Sequence, residues 1–430
     1  MRKGLVAALA GVVLAGGVGA AAVLHDGGVP VVTPASLPSP YPSRTPLLDA
    51  TGTSPLPTTA GLQRALAGPL RDHGLGGRVS LSVVDVTSGQ ALLSIGAERE
   101  VTPASTAKIA TAVAALTVLR PDDAFRTTVV AGARPGDVVL VGGGDPSLDA
   151  AGIAVLASQL ATAAVTRVLV DDSLFAGPRL GPGWKAGYVQ HGNVAPVSAL
   201  AVDQGRTSER DGSPRVSDPA LAAGRQLARL LKVRTVARGT APRGAARLAV
   251  VTSAPLPDLV EQMLTRSDND FAEALGRQVA LAGRLPATFD GEAAAIGAVL
   301  KGIGVEVGLR DASGLSPLDR VQPAAVTALL TKAAQDSRYG AVLSGLPVAG
   351  FDGTLSDRFR TAPTQVAAGE VRAKTGTLDG VSALAGLVVT RDGRLLAFDL
   401  TADGVALGAT GPAQKALDRV ATALAGCGCS

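Results

Sequence analysis

The pattern of apolar and polar positions changes character several times along the chain, and each change predicts a different element. Residues 62–74 (LQRALAGPLRDHG) carry a helical period, and residues 77–98 (GRVSLSVVDVTSGQALLSIGAE) alternate about a Thr87-Ser88-Gly89 turn, which predicts a β-hairpin. In residues 105–119 (STAKIATAVAALTVL) the Ala, Ile, Val and Leu positions run all round a helix, so this helix is expected to be buried. Residues 124–245 read as short β-like runs, Arg126–Val130, Val138–Val141 and Arg167–Val170, parted by Gly/Pro/Asp turns. Beyond them residues 256–283 and 323–337 are strongly helical, residues 370–404 predict consecutive antiparallel strands, and residues 413–426 predict a terminal helix. Strands at both ends around helices in the middle predict one α+β domain, residues 61–123 and 246–426, interrupted by a strand-containing insert at 124–245.

The leading residues follow none of these patterns. Arg2 and Lys3 precede an uncharged run from Gly4 to Leu24, the form of a secretory signal, and residues 1–26 are assigned to it. Ala20-Ala21-Ala22 offers a cleavage site, while a run of about 20 such residues is also long enough to stay in a bilayer as an anchor. In both forms the rest of the chain is exported, to the cell envelope or the extracellular side. Residues 27–60 are rich in Pro, Ser and Thr and predict an extended linker.

Composition narrows the function classes. The 430 residues are 47% apolar and 18% charged with a net charge of +4, so no strongly basic field marks a nucleic-acid partner. Aromatics at 3% argue against base-stacking platforms. Three histidines leave little for a histidine-rich zinc site, and only His191 reads as ordered interior sequence. A Ser-His-Asp triad would need His191, yet no G-x-S-x-G elbow accompanies it, so nucleophilic chemistry here calls for another base. Cys427 and Cys429 could pair with one another, stay free or hold a ligand together.

Three short motifs supply that base. Ser105-Thr106-Ala107-Lys108 puts a hydroxyl and an amine three residues apart at a helix start, on one helical face. For the lysine to accept a proton its pKa must fall from about 10.4, which burial and a second nearby cation favour. Ser267-Asp268-Asn269 sets a second hydroxyl and a carboxamide in an interhelical loop, and Lys374-Thr375-Gly376-Thr377 opens a β-run, where Gly376 allows close approach to the backbone. Each motif alone is common and would ordinarily be a capped helix, a loop or a strand. In this order and context they form the S-x-x-K, S-D-N, K-T-G set of penicillin-binding proteins and class A β-lactamases.

The chain resembles the D-alanyl-D-alanine carboxypeptidases/endopeptidases of the penicillin-binding protein 4 type, peptidase family S13. The long gap between Lys108 and Ser267 selects this type, and so do GGGDPSL (142–148), DDSLFAGPRLGPGW (171–184), SDNDFAE (267–273), DASGLSPLDRV (311–321), LPVAGFDGTLSDRF (346–359) and AKTGTLDGVSALAG (373–386). The resemblance implies a transpeptidase-like α+β fold with an antiparallel sheet and a helical region. It implies Ser105 as nucleophile, Lys108 as its base, Ser267 as proton relay and Asn269 as the group holding Lys108 and substrate in register. Lys374, Thr375, Gly376 and Thr377 would bind the substrate carboxylate, with Lys374 also depressing the pKa of Lys108. Peptidoglycan stem peptides would be substrates and β-lactams covalent inhibitors, with no metal or organic cofactor. A serine β-lactamase or a non-catalytic penicillin-binding scaffold are the alternatives, and the balance of carboxypeptidase and endopeptidase action stays open.

Overall fold

The computed structural model describes residues 54–210 and 212–429. The signal or anchor segment and most of the linker lie outside the described residues. Among the described residues no helix is long and apolar enough to cross a membrane.

The first element of the described residues is α1 (Thr59–Leu66), capped by the Thr58 side chain, so the helix begins inside the stretch expected to be linker. The expected hairpin forms as β1 (Val79–Asp85) and β2 (Ala91–Ile95), and the apolar-all-round segment forms α2 (Ala107–Val118), buried from Ala107 to Leu116. Next come β3 (Arg126–Ala131), β4 (Asp137–Val141), α3 (Ala150–Gln159), β5 (Arg167–Asp171), α4 (Pro219–Leu230), β6 (Thr235–Arg238) and β7 (Arg247–Thr252). The helices α5 (Leu256–Arg266), α6 (Asn269–Ala282), α7 (Phe289–Gly302), α8 (Pro323–Gln335) and α9 (Gly340–Gly345) follow. The chain closes with β8 (Val371–Leu378), β9 (Val381–Val389), β10 (Leu395–Ala402) and α10 (Thr410–Ala425).

Two five-stranded sheets result, and the architecture is α+β. The first has the order β2-β1-β10-β9-β8, antiparallel throughout, and joins both ends of the chain. Both of its faces are covered. Ala385, Leu387, Leu395 and Ala397 point into a core with α2 and α5–α9, whereas Leu384, Val388, Leu396, Phe398 and Leu400 point into a second core with α1 and α10. Cover on both faces leaves β9 and β10 buried along almost their whole length, and they are mostly apolar instead of alternating. Near the two ends of the described residues, Thr58 N donates to the carbonyl of Cys429 at 2.9 Å, and Cys429 is joined to Cys427 in a disulfide.

The second sheet, order β6-β5-β4-β3-β7, has its own core with α3 and α4. Its strand β7 lies past the boundary expected at residue 245 and runs to Thr252, with Arg247, Ala249, Val250, Val251 and Thr252 paired to β3. The pairs β4–β5 and β5–β6 are parallel, and parallel neighbours need crossovers, which α3 and α4 supply. Of this sheet, β3, β4 and β5 match the β-like runs expected from the sequence, whereas β6, β7, α3 and α4 were not expected.

Candidate active site

Ser105 sits half-buried in a 3₁₀ turn (Ala104–Thr106) that leads into α2. The preceding residue, Ala104, has φ of 49°, a left-handed conformation that costs a non-glycine residue energy and marks a constrained turn. Two glycines allow other strands of chain to pack against it. A Cβ on Gly314 would lie 1.9 Å from the Ala104 carbonyl oxygen, and one on Gly376 would lie 2.8 Å from that of Pro103. Gly376 thus serves the contact between β8 and the serine turn.

Lys108, one helical turn later, is fully buried with its amine held at three points: Ser105 Oγ at 3.0 Å, Asn269 Oδ1 at 2.7 Å and the Ser313 carbonyl oxygen at 2.6 Å. A neutral amine has two hydrogens and one lone pair. With Asn269 and Ser313, both acceptors, taking the two hydrogens, the lone pair is left facing the Ser105 hydroxyl. Burial lowers the pKa of Lys108 to about 8, against the pull of Asp311, Glu273, Asp268 and Asp319, whose negative charges favour the ammonium.

The S-D-N motif lies between α5 and α6. Ser267 ends α5 in the left-handed region, φ 56°, Asp268 caps α6 by accepting from Phe271 N, and Asn269 begins α6. Ser267 Oγ meets Lys374 Nζ at 2.8 Å, and Lys374 also donates to the Thr375 carbonyl at 2.8 Å. Lys374 is fully buried, and its pKa falls well below the ordinary value, first through burial and then through the charge of Lys108. The two ammonium charges disfavour one another, and desolvation is the largest cause of the fall at both lysines.

On β8 the alternation buries Lys374 and Gly376 and leaves Thr375 half-buried and Thr377 exposed. Thr375 Oγ1 is bonded to Thr354 Oγ1 at 2.8 Å, and Thr377 Oγ1 is 3.5 Å from Gln414 Nε2. Ser105, Lys108, Asn269, Ser267 and Lys374 are thus joined in two lysine–serine pairs. A cavity of about 600 Å³ opens beside them, lined by Asn193, Arg206, Arg266, Ser267, Asn269 and Thr354 among others.

Several participants escaped the sequence reading. Ser313 acts through its carbonyl, and its N–H donates to Glu273 Oε1 at 2.9 Å. Asp311 holds the same loop by accepting from Gly314 N, Ser316 N and Trp184 Nε1, each at 2.7 Å. Burial and the charge of Asp311 push Glu273 up to about 7 and Asp319 up to about 9. The stretches that hold these residues, SDNDFAE and DASGLSPLDRV, were visible in the sequence, but nothing in residue identity marked Glu273, Asp311 and Asp319 as buried. His191, expected to be interior, is exposed on a loop.

The D-Ala-D-Ala carboxypeptidase 3 (S13) family model matches residues 62–213 and 208–424. A carboxypeptidase of Mycobacterium tuberculosis is 37% identical over 426 residues, covering 93% of this chain and 91% of the relative. Carboxypeptidase DacB of Mycolicibacterium smegmatis is 37% identical over 430 residues, covering 94% and 92%. Among solved structures, penicillin binding protein 4 of Haemophilus influenzae matches with a TM-score of 0.72 and 22% identity, over 85% of this chain and 98% of that one, a likeness of fold.

Proposed function

The chain belongs to the D-Ala-D-Ala carboxypeptidase (S13) family and is a hydrolase of that class, with the fold of penicillin-binding proteins, and from that premise we propose that it works through an acyl-enzyme on Ser105. The observation that carries the proposal is the three-point hold on Lys108, which leaves the amine's lone pair for the Ser105 proton. Ser105 Oγ attacks the carbonyl between the terminal D-alanines as Lys108 takes its proton. The C–N bond then breaks as Ser267 gives its proton to the departing D-Ala amine and receives in turn the proton that Lys108 took from Ser105. Lys374 binds the substrate's terminal carboxylate together with the hydroxyls of Thr375 and Thr377. Backbone N–H groups of Ser105 and Thr377 stabilise the tetrahedral oxyanion, at about 3 kcal/mol per donor. Water then attacks the ester and releases the trimmed peptide and free Ser105.

Peptidoglycan stem peptides are the substrates in this reading, and the enzyme acts on the outer side of the membrane after export. β-Lactams acylate the same serine, and their tethered leaving group obstructs hydrolysis. The strands and helices within residues 124–245 form an insert in the catalytic domain.

The test incubates the protein with a fluorescent penicillin, follows label and its decay, and measures D-Ala release from a D-Ala-D-Ala peptide. Persistent label and D-Ala release, both lost in Ser105→Ala, are expected. Rapid loss of label with turnover of the drug would make it a β-lactamase, and absence of label on folded protein would sink the mechanism.

A further inference from the structure

Asn269 can serve Lys108 with its carboxamide only one way round. With Oδ1 on the amine, the amine's hydrogens are engaged and its lone pair is left for Ser105. Flipped, the amide hydrogens would face the amine and compete with Ser105 for that lone pair.

The group that blocks the flip belongs to a distant stretch of chain. Asn269 Nδ2 donates to the backbone carbonyl of Asn193 at 2.8 Å. Asn193 lies in the long connection from β5 to α4, and its peptide is fixed on both sides. The Gly192 carbonyl accepts from Arg215 Nε at 3.2 Å, and Ala195 N donates to Asp270 Oδ1 at 2.8 Å. Arg215 and Asp270 face one another at 3.2 Å, and a further N–H of Arg215 reaches the Gln204 carbonyl at 3.0 Å. The Arg215 side chain is only 3% exposed. The ring closes through the chain itself, because Asp270 directly follows Asn269. Burying a guanidinium and a carboxylate is costly, so a pair kept here has a structural use. Arginine suits it because one planar fork can hold a carboxylate and two carbonyls together.

We propose that Arg215 is a positioning residue: paired with Asp270, it holds the Asn193 carbonyl where it locks the Asn269 carboxamide with its oxygen on Lys108. The connection from β5 to α4 is then part of the acylation apparatus and more than a surface for recognising large substrates. This rests on the serine-acylation reading above.

The test uses the full chain and a small probe, a fluorescent penicillin, whose acylation rate constant is compared with kcat/KM on a D-Ala-D-Ala peptide. The variants are Arg215→Met, Arg215→Lys, and the double variant Arg215→Met with Asp270→Asn, with circular-dichroism melting as the folding check. The double variant leaves no buried charge unpaired, so it decides the matter if Arg215→Met does not fold. Both methionine variants are expected to slow penicillin acylation about 10- to 100-fold, with partial recovery in Arg215→Lys. The acid limb of the acylation pH profile should also move to lower pH. A flipped amide puts N–H donors beside the Lys108 ammonium, while Asp268, Glu273, Asp311, Asp319 and Lys374 still face it as before. A folded double variant acylated at the wild-type rate and with the wild-type pH profile would overturn the proposal, whatever happens to peptide turnover. Wild-type protein that takes no label at Ser105 would overturn the underlying reading, and that result needs no variant.

Discussion

Two buried lysine–serine pairs stand side by side in this site, alike in chemistry and opposite in electrostatics. Lys108 bonds Ser105 at 3.0 Å and Lys374 bonds Ser267 at 2.8 Å, and both amines are removed from solvent. Four carboxylates pull the pKa of Lys108 back toward the charged form, whereas Lys374 feels only desolvation and a second cation. The first pair can therefore exchange a proton near neutral pH. In the proposed mechanism the second pair binds the substrate carboxylate, so identical residue types divide into base and binder according to what surrounds them.

The largest expected effect breaks the second pair. Lys374→Met keeps the buried volume and removes the cation, so kcat/KM on a D-Ala-D-Ala peptide is expected to fall about a hundredfold. Acylation by an activated ester lacking the carboxylate should fall much less, and equal losses on both substrates would show that Lys374 acts on the chemistry instead.

A smaller effect sharpens the first pair. Glu273→Gln keeps an acceptor for Ser313 N and removes one negative charge near Lys108, which lowers the lysine's pKa further. The acid limb of acylation should shift to lower pH with the plateau rate within about threefold of wild type. Glu273→Leu, which leaves Ser313 N unpaired, should lose more rate. A limb that does not move in Glu273→Gln would mean that the carboxylates do not set the base.

The smallest effect on catalysis comes from a carboxyl outside both pairs. Asp399, buried in β10 with Thr401 donating to its carboxylate, is pushed by desolvation from 3.8 to about 7. A raised carboxyl confers stability in its protonated form, fully present below 3.8 and lost as pH rises through about 7. Asp399→Asn is therefore expected to stabilise the protein above pH 7 by about 1–3 kcal/mol in denaturant melts, with acylation unchanged. A lower stability there would show that the carboxylate has a partner worth more than its desolvation.

How much of this was legible in the sequence differs between the two pairs and their supports. Ser105, Lys108, Ser267, Asn269 and Lys374 are side chains at fixed spacings, and the structure brings them together. The groups that orient Lys108 and Asn269 include the carbonyls of Ser313 and Asn193, and a backbone carbonyl leaves no signature in residue identity. The same limit applied to the fold. The hairpin, α2 and β8–β10 were plain from their periodicity, but α3 (AAGIAVLASQ) was lost among short apolar runs. Its existence follows only once β4 and β5 are known to be parallel. Arg215 and Asp270 meet across a long stretch of chain, and no local pattern pairs them.

The most direct test of the account is the pH dependence of penicillin acylation in the wild-type protein, with the adduct located by peptide mass spectrometry. The account predicts an adduct on Ser105 and a rate that rises with pH to a plateau, with its midpoint near the value of about 8 given to Lys108 by burial. An adduct on another residue, or a rate on Ser105 that does not change between pH 6 and pH 9, would contradict Lys108 as the base.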